Sequence, residues 1–305
     1  MIGGTIGGSV YGGGEMGQVK ESTVVNLTGG DIAHDAFGGG KGTDLIAADI
    51  GGNTTVELNK GMTGSDKGCS VERVFGCNDT NGTPKGHPLV RVYATRHKNK
   101  DKIIPDGGKY AKFVDYSDYS ISDYDTALRG LADTYGVTVP NHYKTLIART
   151  SLTGLPGNNA SEQQAYLDKL KLEALDNLRG AIADKKYDVI AVYGGGNMAK
   201  YDPTNAYSEN PTIKAAARTE VIIDGCALTS IRQVYGGGNA APVPATSLTV
   251  NAAYEIDEAF GGGNGKDNYQ LSDGYWYENP GANVGYKNYT HYHEETGDPT
   301  GTNYG

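Results

Sequence analysis

The sequence predicts a mainly β fold, a parallel β-helix (β-solenoid) that is interrupted by an α-helical insertion. A short motif of one apolar residue, one aromatic residue and a glycine turn recurs at similar spacing. Tyr11 and Phe37 are 26 residues apart, and Tyr235 and Phe260 are 25 apart. Periods of roughly 20–50 residues are typical of solenoids and propellers. Because one such repeat cannot bury its own apolar side, stacked repeats must share a core.

The glycine half of the repeat is the easiest to find. It reads SVYGGGE at residues 9–15, DAFGGGK at 35–41, RVFGCND at 73–79, AVYGGGN at 191–197, QVYGGGN at 233–239 and EAFGGGN at 258–264. We expect the glycines to form turns with positive φ, which glycine adopts without steric cost. The asparagine after them, and Asn78 after the Gly–Cys pair, is expected to form an amide ladder between repeats.

The other half of the repeat is a strand-like run rich in Val, Ile and Thr, residues that suit a pleated surface. It reads STVVNL at residues 22–27, TTVEL at 54–58, TEVII at 219–223 and TSLTV at 246–250. A glycine-rich β-sandwich and a propeller remain alternatives, although propeller blades need units nearer 40–50 residues. Ile231 precedes Val234 by three residues whereas Ile32 precedes Ala36 by four. One register for both repeats therefore needs a bulge, because side-chain direction alternates along a strand.

Helical signals replace the repeat in the middle of the chain. Residues 123–135 predict a helix that ends at Gly136. Residues 161–186 predict a second helix, in which Ser161 is the N-cap and Gln164 completes a capping box. The apolar stripe of this second helix is expected to pack on the coils or on a partner helix, or to belong to an excursion that carries binding specificity.

These patterns divide the chain into four parts. They are β-helix coils at residues 1–95, a helical insertion at 96–187, further coils at 188–270, and a tail or cap rich in Tyr, Gly and Asn at 271–305. Both ends read as the middle of a repeat without a capping unit. We therefore expect a fragment of a longer protein, flanked by further repeats, with any export signal or anchor outside this chain.

Charge and hydropathy limit the classes of partner. The formal net charge is −9 and the pI is near 5.2, which excludes a nucleic-acid-binding protein because such proteins need a basic patch. No stretch approaches 18 apolar residues, so no membrane insertion by this chain is expected. A sugar, a metal ion or another protein remains open as a partner.

The strings VYGGGN, TSIRQVYGGGNAAPVPATSLTV and YEIDEAFGGGNGKD resemble the glycine-rich repeats of very large surface or secreted proteins of gut anaerobic bacteria. These proteins are described as adhesin-like. The resemblance covers most of residues 1–93 and 188–268. It implies a right-handed parallel β-helix and an extracellular or cell-surface location, and it carries no catalytic motif over to this chain.

Calcium is the inorganic ligand that the sequence favours, although a chain without a cofactor is the main expectation. Residues 39–47 fit the nonapeptide G-G-x-G-x-D-x-U-x of RTX proteins, and residues 262–270 fit it loosely. Asp44 and Asp267 would be the ligands, since Ca²⁺ prefers carboxylate and carbonyl oxygen. Such sites need consecutive copies, whereas these two lie more than 200 residues apart. His291 and His293 form a second possible metal site, or part of a solvated tail.

The three cysteines allow two interpretations. A disulfide between Cys69 and Cys77 is conceivable across a turn, and ordinary buried thiols in the coil core are the alternative. Cys226 would then be unpaired, and no C-x-x-C pair points to zinc.

The sequence as a whole predicts a non-enzymatic repeat protein for display and adhesion, which binds a glycan or a host or bacterial surface protein. Tyr275, Trp276 and Tyr277 are the predicted contact residues, because exposed aromatic rings stack on a partner; a cap over the last coil is the alternative. The first rival is a polysaccharide-cleaving enzyme, which needs paired carboxylates such as Asp31 with Asp35 or Asp257 with Glu258. The second rival is a calcium-stabilised RTX-like module.

Overall fold

The computed structural model describes residues 1–63, 66–95, 120–203, 217–225, 228–265 and 282–285, and the backbone of three short strands at 269–270, 275–277 and 291–293. The chain divides into two compact units. One contains Met1–His97 and Asp188–Gly305, and the other contains Lys98–Tyr187.

Parallel sheets form most of the first unit. A six-stranded sheet has the order β14-β12-β10-β8-β5-β2, a five-stranded sheet the order β13-β11-β9-β6-β3, and a three-stranded sheet the order β1-β4-β7. The strands of the six-stranded sheet are β2 (Val10–Tyr11), β5 (Asp35–Phe37), β8 (Arg73–Phe75), β10 (Val189–Tyr193), β12 (Ser230–Tyr235) and β14 (Glu255–Phe260). Those of the five-stranded sheet are β3 (Thr23–Leu27), β6 (Thr54–Leu58), β9 (Pro88–Val92), β11 (Thr219–Asp224) and β13 (Thr246–Ala252).

The remaining strands are short and the helices are confined to the second unit. The three-stranded parallel sheet contains β1 (Ile2–Ile6), β4 (Gly29–Ile32) and β7 (Cys69–Ser70), and β15 (Tyr269–Gln270), β16 (Tyr275–Tyr277) and β17 (His291–His293) form an antiparallel sheet. The helices are α1 (Ile121–Tyr135), α2 (Asn141–Ala148) and α3 (Ala160–Lys186).

The predicted closed β-helix is wrong. The strands lie in three separate parallel sheets accompanied by three helices, an α/β-like arrangement. In the early repeats the chain runs through two strands, β4 and β5, that belong to different sheets. In a later repeat the single six-residue strand β12 takes this path, and the three-stranded sheet has no described strand after β7. This change explains why Ile32 precedes Ala36 by four residues whereas Ile231 precedes Val234 by three. The two repeats do not share one strand register across this path.

The core of the first unit consists of small and branched apolar side chains. Strands β3, β6, β9 and β11 of the five-stranded sheet alternate buried and outward positions, so Val25, Val56 and Val90 point inward. They pack with Val74, Val192 and other buried residues of the six-stranded sheet into one cluster. This alternation is what a half-buried strand requires.

Aromatic residues of successive repeats stack in a second cluster. The rings of Tyr11, Phe37, Phe75, Tyr193, Tyr235 and Phe260 lie in this order, with neighbouring centroids between 4.6 and 5.0 Å apart and nearly parallel planes. Because β-strand pairing is in register, each repeat places its ring on the ring of the next.

The glycine triplets have a different function from the predicted one. None of the triplet glycines, all of which lie in the described part of the chain, has a positive φ. A Cβ on the first glycine of a triplet would lie 2.3 Å from the Gly38 carbonyl oxygen at Gly12, and 2.2 Å from the Gly236 carbonyl oxygen at Gly194. The triplets therefore serve close approach between repeats, and the prediction of left-handed turns is wrong for them.

The predicted amide ladder is confirmed for the later repeats. Asn264 Nδ2 donates to Asn239 Oδ1, and Asn239 Nδ2 donates to Asn197 Oδ1, each at 2.8 Å. Asn197 Nδ2 then donates to Asp79 Oδ1 at 2.8 Å. Asn78 is not in the ladder, because it takes the place of the third glycine and donates instead to the Ala48 carbonyl.

The helical unit has its own core. Tyr124, Leu128 and Tyr143 pack with Leu178, Ile182 and neighbouring apolar residues of the three helices. The helix predicted over residues 123–135 is confirmed, and Gly136 ends it with φ of 68°. The second predicted helix is confirmed, but its N-cap is wrong. Asn159 caps α3, and its side chain accepts a hydrogen bond from the Glu162 amide at 3.0 Å.

Cys69 and Cys77 are both free and buried, so the interpretation as ordinary core thiols is confirmed and the alternative of a disulfide between them is wrong. Burial raises the pKa of the Cys77 thiol far above its usual value, so this thiol is an unreactive core residue. Cys226 lies outside the described residues.

Candidate functional site

Several charged side chains lie close together on the outer face of the five-stranded sheet. In-register pairing places Glu57 of β6 beside Arg91 of β9, at positions that alternate with buried valines and leucines. Asp224 ends β11 two positions beyond Ile222, the residue that pairs with Arg91. The fold thus brings together residues that are far apart in the chain, because successive repeats lie side by side.

Glu57 accepts hydrogen bonds from two neighbouring side chains. Lys60 Nζ lies 2.9 Å from Glu57 Oε1 and 3.2 Å from Oε2, and Tyr93 Oη lies 3.0 Å from Oε1. The hydrogen bond from Lys60 is the main reason that the pKa of Glu57 falls below its usual value, and the Tyr93 hydroxyl adds to this effect. Glu57 is therefore ionised at neutral pH.

Asp224 is held in the same way on the neighbouring strand. Asn251 Nδ2 donates to Asp224 Oδ1 at 2.6 Å, and Arg91 Nε donates to Asp224 Oδ2 at 2.7 Å. The hydrogen bond from Asn251 and then that from Arg91 lower the pKa of Asp224. This carboxylate also stays ionised at neutral pH.

Tyr93 lies between the two carboxylates, and its ring contacts the cation that is paired with each of them. Lys60 Nζ lies 5.7 Å from the ring centroid and Arg91 Cζ lies 4.9 Å from it, distances at which a cation is attracted to an aromatic face. Burial and then the Glu57 carboxylate raise the pKa of the Tyr93 hydroxyl. We call Glu57, Lys60, Arg91, Tyr93, Asp224 and Asn251 the outer-face network.

The outer-face network is accessible to a partner. The side chains of Lys60 and Arg91 are 58% and 40% exposed, whereas those of Glu57 and Asp224 are each 18% exposed. The cations therefore face solvent while the carboxylates lie lower and hold them in place. Chemically, the network combines carboxylate acceptors, cationic donors, an amide with both functions and an aromatic ring.

A pocket adjoins this network at Lys60. Its volume is about 610 Å³, and the residues that line it include Gly3, Gly4, Asp31, Met62 and Lys67, a size within the usual range for small-ligand pockets. Four of its lining glycines have positive φ, namely Gly4, Gly30, Gly61 and Gly68. Side chains are absent from these four positions, and the pocket is also lined by polar and charged residues such as Thr5, Asp31 and Lys60.

The predicted contact residues Tyr275, Trp276 and Tyr277 form strand β16. The backbone register aligns Tyr275 with His293, Trp276 with Tyr292 and Tyr277 with His291. The side chains of these residues lie outside the described part of the structure. Their role in binding stays a prediction, as does a metal site at His291 and His293.

The predicted calcium ligands are only partly described. Asp44 lies in an exposed turn in which the Thr43 amide donates to the Ile46 carbonyl at 2.9 Å. Asp267 lies outside the described residues. Within the described ranges, no group of three or more His, Cys, Asp or Glu side chains could hold a metal ion.

The carboxylates predicted for an enzyme have other contacts. Arg73 Nη2 and Nε donate to Asp35 at 2.6 and 2.8 Å, and Asp35 is buried. Ser70 Oγ donates to Asp31 Oδ1 at 2.9 Å on another sheet. Glu258 accepts a hydrogen bond from Gln233, and Asp257 is exposed.

Sequence reasoning missed the outer-face network because its members do not form a motif. Arg91 and Asp224, for example, are 133 residues apart. The available signal was charge at outward positions of the repeated strands: Glu57 in TTVEL, Arg91 in LVRVYAT and Asp224 at the end of TEVIID. Aligning these strands by repeat would have placed them side by side.

Comparison with protein-family models, with curated proteins and with solved structures finds no match to this chain. The resemblance to adhesin-like repeats therefore rests on the repeated strings themselves. None of the helices in the described ranges has the length and apolar character needed to cross a membrane.

Proposed function

We propose that this chain is a non-catalytic carbohydrate-binding protein and that the outer-face network is its binding surface. The observation that carries the proposal is the environment of Tyr93. Its ring lies beside Lys60 and Arg91, and its hydroxyl donates to Glu57. An aromatic ring bordered by fixed donors and acceptors fits a ligand with both hydroxyl groups and apolar C–H faces.

The charges of the network favour a neutral glycan. Two carboxylates, Glu57 and Asp224, are paired with two cations, Lys60 and Arg91. A sugar hydroxyl can donate a hydrogen bond to the carboxylates and accept one from the cations. A neutral glycan therefore finds both kinds of partner without adding a net charge. The acidic chain as a whole, with its net charge of −9, disfavours a polyanionic ligand.

The absence of catalysis is supported by the state of the carboxylates. Glycoside cleavage needs one protonated carboxyl as general acid next to an ionised one. The hydrogen bonds of Lys60 and Asn251 lower the pKa values of Glu57 and Asp224, so both are ionised at neutral pH. Support for an extracellular or cell-surface location comes from the sequence resemblance.

The test is a glycan array probed with the full chain and with Arg91→Gln. Loss of the guanidinium removes the donor to Asp224, and we expect the affinity for the selected glycan to fall at least about tenfold, since hydrogen bonds to charged groups contribute about 1.5–3 kcal/mol. Arg149→Gln is the matched control, because Arg149 lies in the helical unit and donates to loop carbonyls.

Three results would overturn this proposal. They are a native chain that binds no glycan, an Arg91→Gln chain with native affinity, and release of reducing ends from the bound glycan. The last result would establish the rival function, polysaccharide cleavage. Circular dichroism of each variant shows whether the fold is retained.

A further inference from the structure

The sequence contains two asparagine–glycine pairs, Asn81–Gly82 and Asn264–Gly265. In such a pair the glycine nitrogen can attack the side-chain carbonyl carbon of the asparagine, because glycine carries no side chain that hinders a close approach. We propose that Asn81 is a site of spontaneous modification, at which this attack converts the side-chain amide to aspartate or isoaspartate, and that the fold protects Asn264 from the same reaction.

The backbone at Asn81 places the attacking atom beside its target. The Gly82 amide nitrogen donates to Asn81 Oδ1 at 2.8 Å, so it lies next to the carbonyl group that it would attack. Gly82 has a φ of 103°, a conformation that glycine adopts without steric cost. Reacting atoms about 3–3.5 Å apart are close to the geometry from which a bond forms. The folded chain therefore holds this pair near the reactive arrangement.

The reaction requires only water and hydroxide. The Gly82 nitrogen loses its proton to hydroxide, and its electron pair forms a bond to Asn81 Cγ. The Cγ–Nδ2 bond breaks, and Nδ2 leaves as ammonia with a proton taken from water. The product is a five-membered succinimide ring. A water molecule then opens the ring at one of its two carbonyls, which gives aspartate or isoaspartate, the isomer whose main chain runs through Cβ and Cγ.

The second pair is held differently, because its glycine nitrogen bonds to another repeat. The Gly265 amide donates to the Asn239 main-chain carbonyl at 2.8 Å, and Asn264 Nδ2 donates to Asn239 Oδ1 at 2.8 Å. At Asn81, by contrast, the nitrogen that another residue holds is the leaving one, Nδ2, which donates to the Thr43 carbonyl. Attack at Asn264 therefore requires the nucleophile to leave its hydrogen bond with Asn239 first.

Modification of Asn81 would weaken the join between two repeats. Its main-chain amide donates to the Lys41 carbonyl at 3.1 Å, Nδ2 donates to the Thr43 carbonyl at 2.8 Å, and its carbonyl accepts from the Ala48 amide at 3.3 Å. Aspartate would set a carboxylate oxygen against the Thr43 carbonyl in place of a donor. Isoaspartate would also lengthen the main chain next to Gly82, where even a Cβ would lie 2.7 Å from the Ala48 nitrogen. We expect the loop from Lys41 to Ala48 to open more often in either product.

The first test is peptide mapping of the full chain after ageing in mildly alkaline buffer. Mass spectrometry detects the exchange of an amino group for a hydroxyl at each asparagine, and elution order separates aspartate from isoaspartate. We expect Asn81 to react at least about tenfold faster than Asn264, since a misplacement of about 1 Å can cost about a hundredfold in rate. In urea both pairs should react at similar rates, because the dipeptide is the same.

The second test measures the consequence for the loop. Asn81→Asp reproduces one product, and hydrogen exchange of the Ile46 and Ala48 amides should become at least about fivefold faster in this variant, the expected effect of one lost hydrogen bond on local opening. Asn264→Asp is the matched control and should leave the exchange of these two amides unchanged.

Four results would overturn the proposal. They are an Asn81 that does not react, equal rates at Asn81 and Asn264 in the folded chain, a difference that persists in urea, and unchanged loop exchange in Asn81→Asp. The third result would assign the difference to the neighbouring sequence and not to the fold.

Discussion

At the scale of single residues, crowding between repeats decides where glycine is required. The hydroxyls of Thr23, Thr54 and Thr219 each donate to the carbonyl oxygen of the glycine that follows an aromatic residue. These glycines are Gly38, Gly76 and Gly236, and each distance is 2.6 Å. Each of these carbonyls also lies where a Cβ on the preceding first glycine would project. The first glycine of these inner repeats is therefore required by packing, since a side chain there would displace a neighbouring backbone.

This crowding predicts opposite effects for two alanine substitutions at equivalent positions. Gly194→Ala would place a Cβ 2.2 Å from the Gly236 carbonyl oxygen, and we expect it to lower the free energy of unfolding by about 1–3 kcal/mol. Gly261→Ala, whose Cβ would meet no atom of the described residues within 4 Å, should change it by less than about 0.5 kcal/mol. Urea denaturation at low protein concentration measures both, and equal effects would refute the packing explanation.

At the scale of elements, the structure shows how caps set the ends of helices. Helix α3 begins after Asn159, whose Oδ1 accepts from the Glu162 amide, while Glu162 Oε2 accepts from the Asn158 amide at 2.7 Å. These two bonds satisfy amides that have no partner within the helix. Helix α2, which the sequence did not predict, lacks a side-chain cap bond at Pro140.

The cap of α3 is tested by two alanine substitutions. Asn159→Ala should lower the free energy of unfolding of the helical unit by about 1 kcal/mol, because it removes the acceptor of an unpaired amide. Ser161→Ala, at the residue that the sequence suggested as the cap, should be neutral within a few tenths of a kcal/mol. Denaturation followed by far-UV circular dichroism distinguishes them, and a larger loss at Ser161 would show that the assigned cap is wrong.

At the scale of the whole molecule, tyrosines of both units favour their neutral form. Burial is the largest cause of the raised pKa of Tyr143 in the helical unit and of Tyr193, Tyr201 and Tyr235 in the sheets. Burial, followed by the charge of Asp79 and the hydrogen bond to it, raises the pKa of Tyr11 from 10.0 to about 12. All of these shifts have the same sign.

The common sign predicts loss of stability in alkali. The unfolded chain releases tyrosine protons near pH 10, whereas the folded chain keeps them to higher pH. The stability that these groups contribute is therefore complete below pH 10 and is lost as the pH rises, from about 10 to about 12 in the case of Tyr11. We expect the melting temperature to fall through this window. A melting temperature that is constant across it would contradict the burial of these hydroxyls.

Much of the local structure was predictable from the sequence. The runs at residues 22–27, 54–58, 219–223 and 246–250 all contain strands of the five-stranded sheet, because branched residues with period-two alternation identify a strand locally. The helix over residues 123–135 was predictable for a similar reason, since its apolar spacing and its C-terminal glycine are local signals. The candidate site was not predictable from the sequence, because its residues come from several separate segments.

The sequence by itself determined that this chain is built from short, repeated strands interrupted by helices, since residue spacing encodes those elements. Only the tertiary structure decided how the strands divide into three parallel sheets, why the first glycine after an inner aromatic residue is required, and that Arg91 meets Asp224 on one face. The physical reason is that sheet membership, crowding and charge pairing depend on contacts between repeats. The sequence pattern within one repeat does not specify which residues of the other repeats it will contact.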